Sequence, residues 1–462
     1  MRFKLGFFIV FTSIVVMSCN TKNLHYNISE FGAIGDGITI NTVSIQNAID
    51  ECSKNGGGIV TLSNGVFISG TILLKDNVTL QIDEDAKLVG SSNPQDYKSI
   101  DKFVDATGQT RGNCLIGAKN RKNIAIIGKG IIDGNGKAFT FEKLKEKAKT
   151  LKLSKDEKQD FGKNRPFLLR FVQSSNIKLK DINLKQPAAW TCHFYQSNTI
   201  NIDNVSIYSH ANHNNDGIDL DSSSDIEITN CKIDTGDDSI CIKSTSPQPT
   251  YNVFVKNCSL KSDWGALKFG TESMGDFYNI NIKDCKIYDT KGGGIKLLSV
   301  DGANIKDITI DNIQMKNVDM PIFIRLGERL RTYRNTEKQN VGSIKNINIK
   351  NITATTRSLD SSRVSSPSGI FITGTENHKI ESVLLENIEI TLPGSEENLV
   401  LKPVEENEKE YPEFSFFKVL PAYGLYGRHI ENLKLKNVKF NITASDIREE
   451  MILEDVTKKT TN

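Results

Sequence analysis

The chain has 462 residues, of which 38% are hydrophobic and 25% charged, a balance that supports a packed core and argues against wholesale disorder. Its formal net charge is +2, and Arg2 and Lys4, with no acid near them in the first nineteen residues, account for that excess. The neutral remainder gives a nucleic-acid partner no basic bias to rest on, and a polyanionic ligand would need positive charge concentrated at its site.

Arg2 and Lys4 precede an apolar run from Leu5 to Met17, which has signal-peptide length and is too short for a comfortable membrane span. The run ends in Val16-Met17-Ser18-Cys19, which resembles a bacterial lipobox. The expectation is a signal peptide over residues 1–19, with Cys19 as the lipidated first residue of the mature chain. Asn20 follows, so nothing here resembles inner-membrane retention. The expected location is the bacterial cell envelope, as an outer-membrane lipoprotein facing the periplasm or the surface. The membrane is then touched only through the lipid anchor.

Ile45, Ala48, Ile49 and Cys52 fall at helical spacing, with Asn41 or Thr42 as N-cap and Gly56-Gly57-Gly58 as terminator. Such an amphipathic helix suits the cap of an open β-structure. A second helical stretch, Phe141 to Lys158, is rich in Lys and Glu and reads as a solvated insertion.

From Ile177 onward a short alternating segment recurs. Its leading apolar residues are Ile177, Ile200, Ile226, Val253, Ile280, Ile308, Ile347, Val383 and Leu433, at spacings of 23, 26, 27, 27, 28, 39, 36 and 50. Strict alternation means strands with one buried face, and one such strand per repeat of this length means a coiled solenoid. Val, Ile, Asn, Asp and Gly dominate, which excludes a leucine-rich repeat. The reading is an all-β fold, a single-stranded right-handed parallel β-helix over residues 20–445, whose wider late spacings are coils with inserted loops. Cys231, Cys258 and Cys285 sit 27 apart, which points to architecture and not to redox chemistry. Residues 446–462, charged and Thr-rich, read as a flexible tail.

The chemistry lies in Asn214-Asn215-Asp216-Gly217-Ile218-Asp219 and Thr235-Gly236-Asp237-Asp238-Ser239. Asp216 and Asp237 are 21 apart, close to one coil. Stacked coils lie about 4.8 Å apart, so the three acids share one face. Carboxylates this close raise one another's pKa, and glycosidic hydrolysis uses such a set: one carboxyl protonated, another ionised. Mutual repulsion predicts a protonated Asp237 beside ionised Asp216 and Asp238. Whether the outcome is retention or inversion is not decided by coil spacing.

On these motifs the sequence resembles glycoside hydrolase family 28, the polygalacturonase-like pectin hydrolases. Phe31-Gly32-Ala33-Ile34-Gly35-Asp36-Gly37 looks like the N-terminal entry of the pectin-enzyme β-helices, and Pro187 to His193 looks like the strand before their catalytic coils. The resemblance implies Asp237 as general acid, Asp216 and Asp238 as the pair that activates water, inversion at the anomeric carbon, and a pectic polysaccharide or oligosaccharide as partner. It implies no cofactor and no metal. Two family motifs are altered. Trp264-Gly265-Ala266 stands for Gly-His-Gly, and Gly294-Ile295-Lys296 for Arg-Ile-Lys.

Lys268 is the expected replacement for a lost cation, and Lys296 is the Lys that the second motif retains, beside Gly292-Gly293-Gly294, which lets a substrate approach the backbone closely. With Arg325, which lies in a loop beside Arg329, Arg331 and Arg334, they would make the groove locally cationic. Trp190, His193 and Asp219 complete the expected substrate contacts, His210 and His213 stand near the cleft, and Tyr423, Tyr426, Arg428 and His429 form a late patch that either touches substrate or packs the last coil. The competing readings are a pectate-lyase-like eliminase, which would want calcium and an Arg base, and a non-catalytic surface glycan-binding lipoprotein.

Overall fold

The structure, a computed structural model, describes residues 24–152 and 165–461. The expected signal peptide with Cys19, and residues 153–158 of the expected second helix, lie outside the described residues.

The chain winds as a parallel β-helix. Ile177, Ile200, Ile226, Val253, Ile280, Ile308, Ile347, Val383 and Leu433 are consecutive register partners in one ladder. The alternation that identified them is therefore the inward face of one wall. Each copy then turns a corner at a residue in the left-handed region: Asn230, Asn257 and Asp284 have φ of 57°, 55° and 56°. Asn and Asp tolerate that conformation, and their side chains bond from coil to coil, as Asn257 does to Asn230. Cys231, Cys258 and Cys285 follow those corners, buried as free thiols. Their repeat is packing, as the spacing predicted.

The wider spacings are inserted loops, at 327–342, 356–369 and 393–421. These loops explain a second feature. Cys192–Tyr195, Ile218–Asp221, Ile240–Ser244, Leu267–Ser273, Ile295–Ser299 and Ile322–Leu326 bury every residue, although only alternate ones face the core. The outward column His193, Asp219, Cys241, Lys268, Lys296 is roofed by loops. A layer of charged groups is thus sealed between sheet and roof.

The first helix spans Thr42–Lys54 and buries Ile45, Ala48, Ile49 and Cys52. Asn41 precedes it but does not cap it; its amide bonds the backbone of Ile34 and Thr39. The second helix is described over Phe141–Thr150. The tail corrects an expectation: Glu449–Thr461 is a strand paired in parallel with Ala422–Ile442, continuing the solenoid by another coil. Its charges lie on an exposed edge, where they discourage further pairing.

Candidate active site

The acids occupy the turns that precede strands of the roofed face. Gly217 N donates to Asp238 O at 2.8 Å and Ser239 N to Gly265 O at 2.9 Å, so the backbones of 216–217, 238–239 and 265–266 stack coil upon coil. One carboxylate oxygen from each of Asp216, Asp237 and Asp238 lies within 4.8 Å of the others.

The three differ in surroundings. Asp238 is 2% exposed; its Oδ2 is 2.6 Å from Lys268 Nζ, and its Oδ1 accepts from Gly265 N at 3.2 Å. Burial works against the charge of Lys268, but Asp238 and its other anionic neighbours hold its pKa well above the ordinary value. Asp237 is partly exposed, and burial followed by the adjacent Asp238 pushes its carboxyl up to about 6. Asp216 is also pushed well up, by burial, then by Asp237 and Asp219. Among the described residues nothing hydrogen-bonds its Oδ1. The expectation of an ionised Asp216 is therefore not what these surroundings favour; the proton of the cluster is contested between Asp216 and Asp237.

Lys243, which sequence reasoning missed, stands 2.8 Å from Asp219, 3.7 Å from Asp216 and 3.8 Å from Glu272. The Asp219 contact is an ion pair without hydrogen-bond alignment, and burial leaves the Asp219 carboxyl at about 7. A signal for Lys243 existed: Ile240 and Ile242 point inward, so Cys241 and Lys243 must point outward beside the acids. Tyr411 and Glu413 were also missed. The Tyr411 hydroxyl lies 2.9 Å from Thr271 Oγ1 and 3.5 Å from Lys268 Nζ. Both come from the 393–421 loop, and nothing local links them to strands more than a hundred residues earlier.

The expected substrate contacts fare differently. Lys268 is at the cluster. Lys296 is fully buried, 2.6 Å from Glu413. Arg325 is 1% exposed and donates to Thr373, Gly374 O and Glu406 O, away from the acids. The groove is therefore not made cationic by this trio, because each cation is already paired or sealed. Arg329 is held by Asp301, Arg331 bonds Ala106 O, and Arg334 bonds Asp101 and lies 3.6 Å from the Tyr195 ring centroid. They tie the roof down. Trp190 has no free face: Phe167 stacks at 5.0 Å on one side of the packing and Lys243 Nζ sits 3.8 Å from the ring centroid. His193 is buried between Arg170 and Asp221, and burial lowers its pKa to about 3, so it is neutral. Asp219 lies beneath the acids and holds Lys243. His210 bonds Asp234 at 2.7 Å, and His213 lends its carbonyl to Arg165. Tyr426 and Arg428 pack the last coil but one and its covering loop.

Gly265 explains the altered family motif. A Cβ there would come within 2.7 Å of Asp238 Oδ1 and 3.2 Å of Lys296 Cδ. The absence of a side chain lets Asp238 lean onto Lys268, three residues further along the same coil. The three carboxylates would also suit a cation's ligand set, yet Lys268 and Lys243 already bring two positive charges to them.

A sequence profile of the glycosyl hydrolases family 28 matches residues 77–410. The chain is 31% identical to an exo-poly-alpha-D-galacturonosidase of Dickeya chrysanthemi over 54% of its own length and 47% of the relative's. It is 29% identical to an endo-polygalacturonase of Pectobacterium parmentieri, over 76% and 84%. The match to the Dickeya enzyme thus spans under half of that relative, and a match to a probable polygalacturonase of Vitis vinifera spans 62% of it. Among solved structures, an exopolygalacturonase of Thermotoga maritima superposes with a TM-score of 0.69 at 24% identity, covering 91% of this chain and 92% of that one. A family 28 exopolygalacturonase of Yersinia enterocolitica gives 0.72 at 20%, covering 95% and 78%. At these identities the superpositions speak for the fold.

Proposed function

The chain belongs to glycosyl hydrolases family 28, and from that premise we propose that it hydrolyses α-linkages of galacturonate-containing pectic chains. The observation that carries the reading is the cluster of Asp216, Asp237 and Asp238 with Lys268 on Asp238. Asp237, the most accessible of the three and held near 6, donates its proton to the glycosidic oxygen as that bond breaks. Asp238, ion-paired with Lys268, and Asp216 orient a water and take its proton as its oxygen attacks the anomeric carbon. Both products are then neutral at the cleaved bond, and the cluster regains one proton.

Inversion is proposed from the family resemblance. The short oxygen separations alone sit nearer the roughly 5–5.5 Å of retaining pairs than the roughly 6.5–9.5 Å of inverting ones, so proton NMR of the newly formed anomer decides it. Asp216 and Asp238 are only 4% and 2% exposed, so a sugar chain reaches the cluster from the side of the partly exposed Asp237.

The envelope location through a lipidated Cys19 belongs to the same proposal. Labelled palmitate should enter the wild type, and equal labelling of Cys19→Ala would refute it. The hydrolase reading is tested by products of a pectic oligosaccharide panel read by mass. Each cleavage should add one water, with no ultraviolet-absorbing unsaturated sugar. Unsaturated products would establish the eliminase instead, and no products the binding protein.

A further inference from the structure

A second groove, of about 660 Å³, lies on the corner between the roofed face and the next wall. No residue lining it is charged, in a chain of which 25% is charged. Gln173, Gln196, Gln248 and Asn198 supply amides, and Tyr251 and Tyr278 supply rings. The two tyrosines are register partners on successive coils, stacked with centroids 4.9 Å apart and planes 9° apart. Lys306, next in that column, covers Tyr278 with its Nζ 5.4 Å from the ring centroid. In the other direction Tyr251 neighbours Ser224, and Ser224 neighbours Asn198. The column therefore steps from aromatic to small at Tyr251, and the ring face on that side becomes the end wall of the groove. Gln173 donates to Gln196 at 3.0 Å, which fixes the amides of the opposite rim.

We propose that this groove is a second glycan-binding site, for neutral sugar residues. A pyranose offers an apolar C–H face to an aromatic ring and a rim of hydroxyls to amides that both donate and accept. A groove of several hundred Å³ holds two or three such rings. A uronate would bring a carboxylate that meets no cation in this lining, so the site selects against charge. The groove shares its coil with the acids: Ser222, in its lining, follows the strand that Asp216 precedes. Six residues of extended chain span at most roughly 20 Å, which is within reach of a branch or distal segment of one glycan. The proposal does not rest on the hydrolase reading.

The test is calorimetric titration of the Asp237→Asn protein with tetrasaccharides of galactose, glucose and arabinose, and with tetragalacturonate. At least one neutral tetrasaccharide should bind, and Tyr251→Ala should weaken it about tenfold or more while leaving tetragalacturonate binding unchanged. Ser224→Tyr, which extends the stack into the place of the sugar at the cost of one hydrogen bond, from Ser224 Oγ to Asp225 Oδ2, should cause the same loss. In the active protein neither change should alter turnover of a short galacturonate substrate. Absence of neutral binding at millimolar concentration, or equal affinity in both variants, would overturn the proposal.

Discussion

Lys268 Nζ lies 2.6 Å from Asp238 Oδ2, both side chains buried, although the two residues are thirty positions and one turn of the solenoid apart. The pair places a fixed positive charge against one member of a crowded carboxylate set. It leaves the contested proton to Asp216 and Asp237, and a side chain at Gly265 would crowd it, since a Cβ there would lie 2.7 Å from Asp238 Oδ1.

Asp237→Asn should lower turnover of a natural glycan by about 10³–10⁴-fold. With a substrate whose leaving group needs no proton, the loss should be much smaller. Wild-type activity should fall as pH rises past the Asp237 value of about 6, since the acid must carry its proton. An equal loss on both substrates would remove Asp237 from the role of acid.

The same substitution should stabilise the fold at neutral pH. A carboxyl whose folded pKa is raised binds its proton more tightly folded than unfolded, so its contribution falls as pH rises from about 4 through about 6. Asp237→Asn removes that penalty. Thermal melts should show the variant above wild type by a few degrees at pH 7, with the gap closing below pH 4. A gap independent of pH would contradict the raised value.

Lys268→Met should leave Asp238 without its counter-ion, and activity should drop about 10²-fold. Loss of the cation raises the carboxyl pKa values around it, so the alkaline limb of the pH–rate profile should move to higher pH. An unmoved limb would mean that Lys268 does not set the charge of the cluster.

Gly265→His, which restores the residue type that the family motif carries, should inactivate the protein and not improve it, because its Cβ falls within 2.7 Å of Asp238 Oδ1. Gly265→Ala should do the same in milder form. Kinetics of both, with circular dichroism to verify folding, decide the matter; full activity of either would show that Asp238 can move without cost.

Lys296→Met should act on stability and not on choice of substrate. It strands the buried Glu413 carboxylate, at a cost of about 3–5 kcal/mol in chemical denaturation. Lys296→Met with Glu413→Leu should recover most of that loss. A selective defect on acidic substrates in a stably folded Lys296→Met protein would return Lys296 to the substrate.

The solenoid is legible in the residues alone. Its signal is local: an inward aliphatic residue at every second position, an Asn or Asp at most corners, and the same string one coil later. Ile200, Ile226 and Val253 could be aligned by eye because stacking in register requires each coil to repeat the last. The nearness of Asp216 to Asp237 and Asp238 follows from the same period. The fate of the outward charges is not legible there, because it depends on which loop folds over them. Lys296 and Arg325 look like free cations in a strand. They are sealed by Glu413 and Glu406, which arrive on one inserted loop whose length the spacings reveal but whose landing place they do not. The tail reads as loose because its charges hide the edge strand it adds. Coil periodicity is a short-range constraint repeated many times, whereas a roof is a set of single long-range contacts, and no repeat in the sequence records where each one closes.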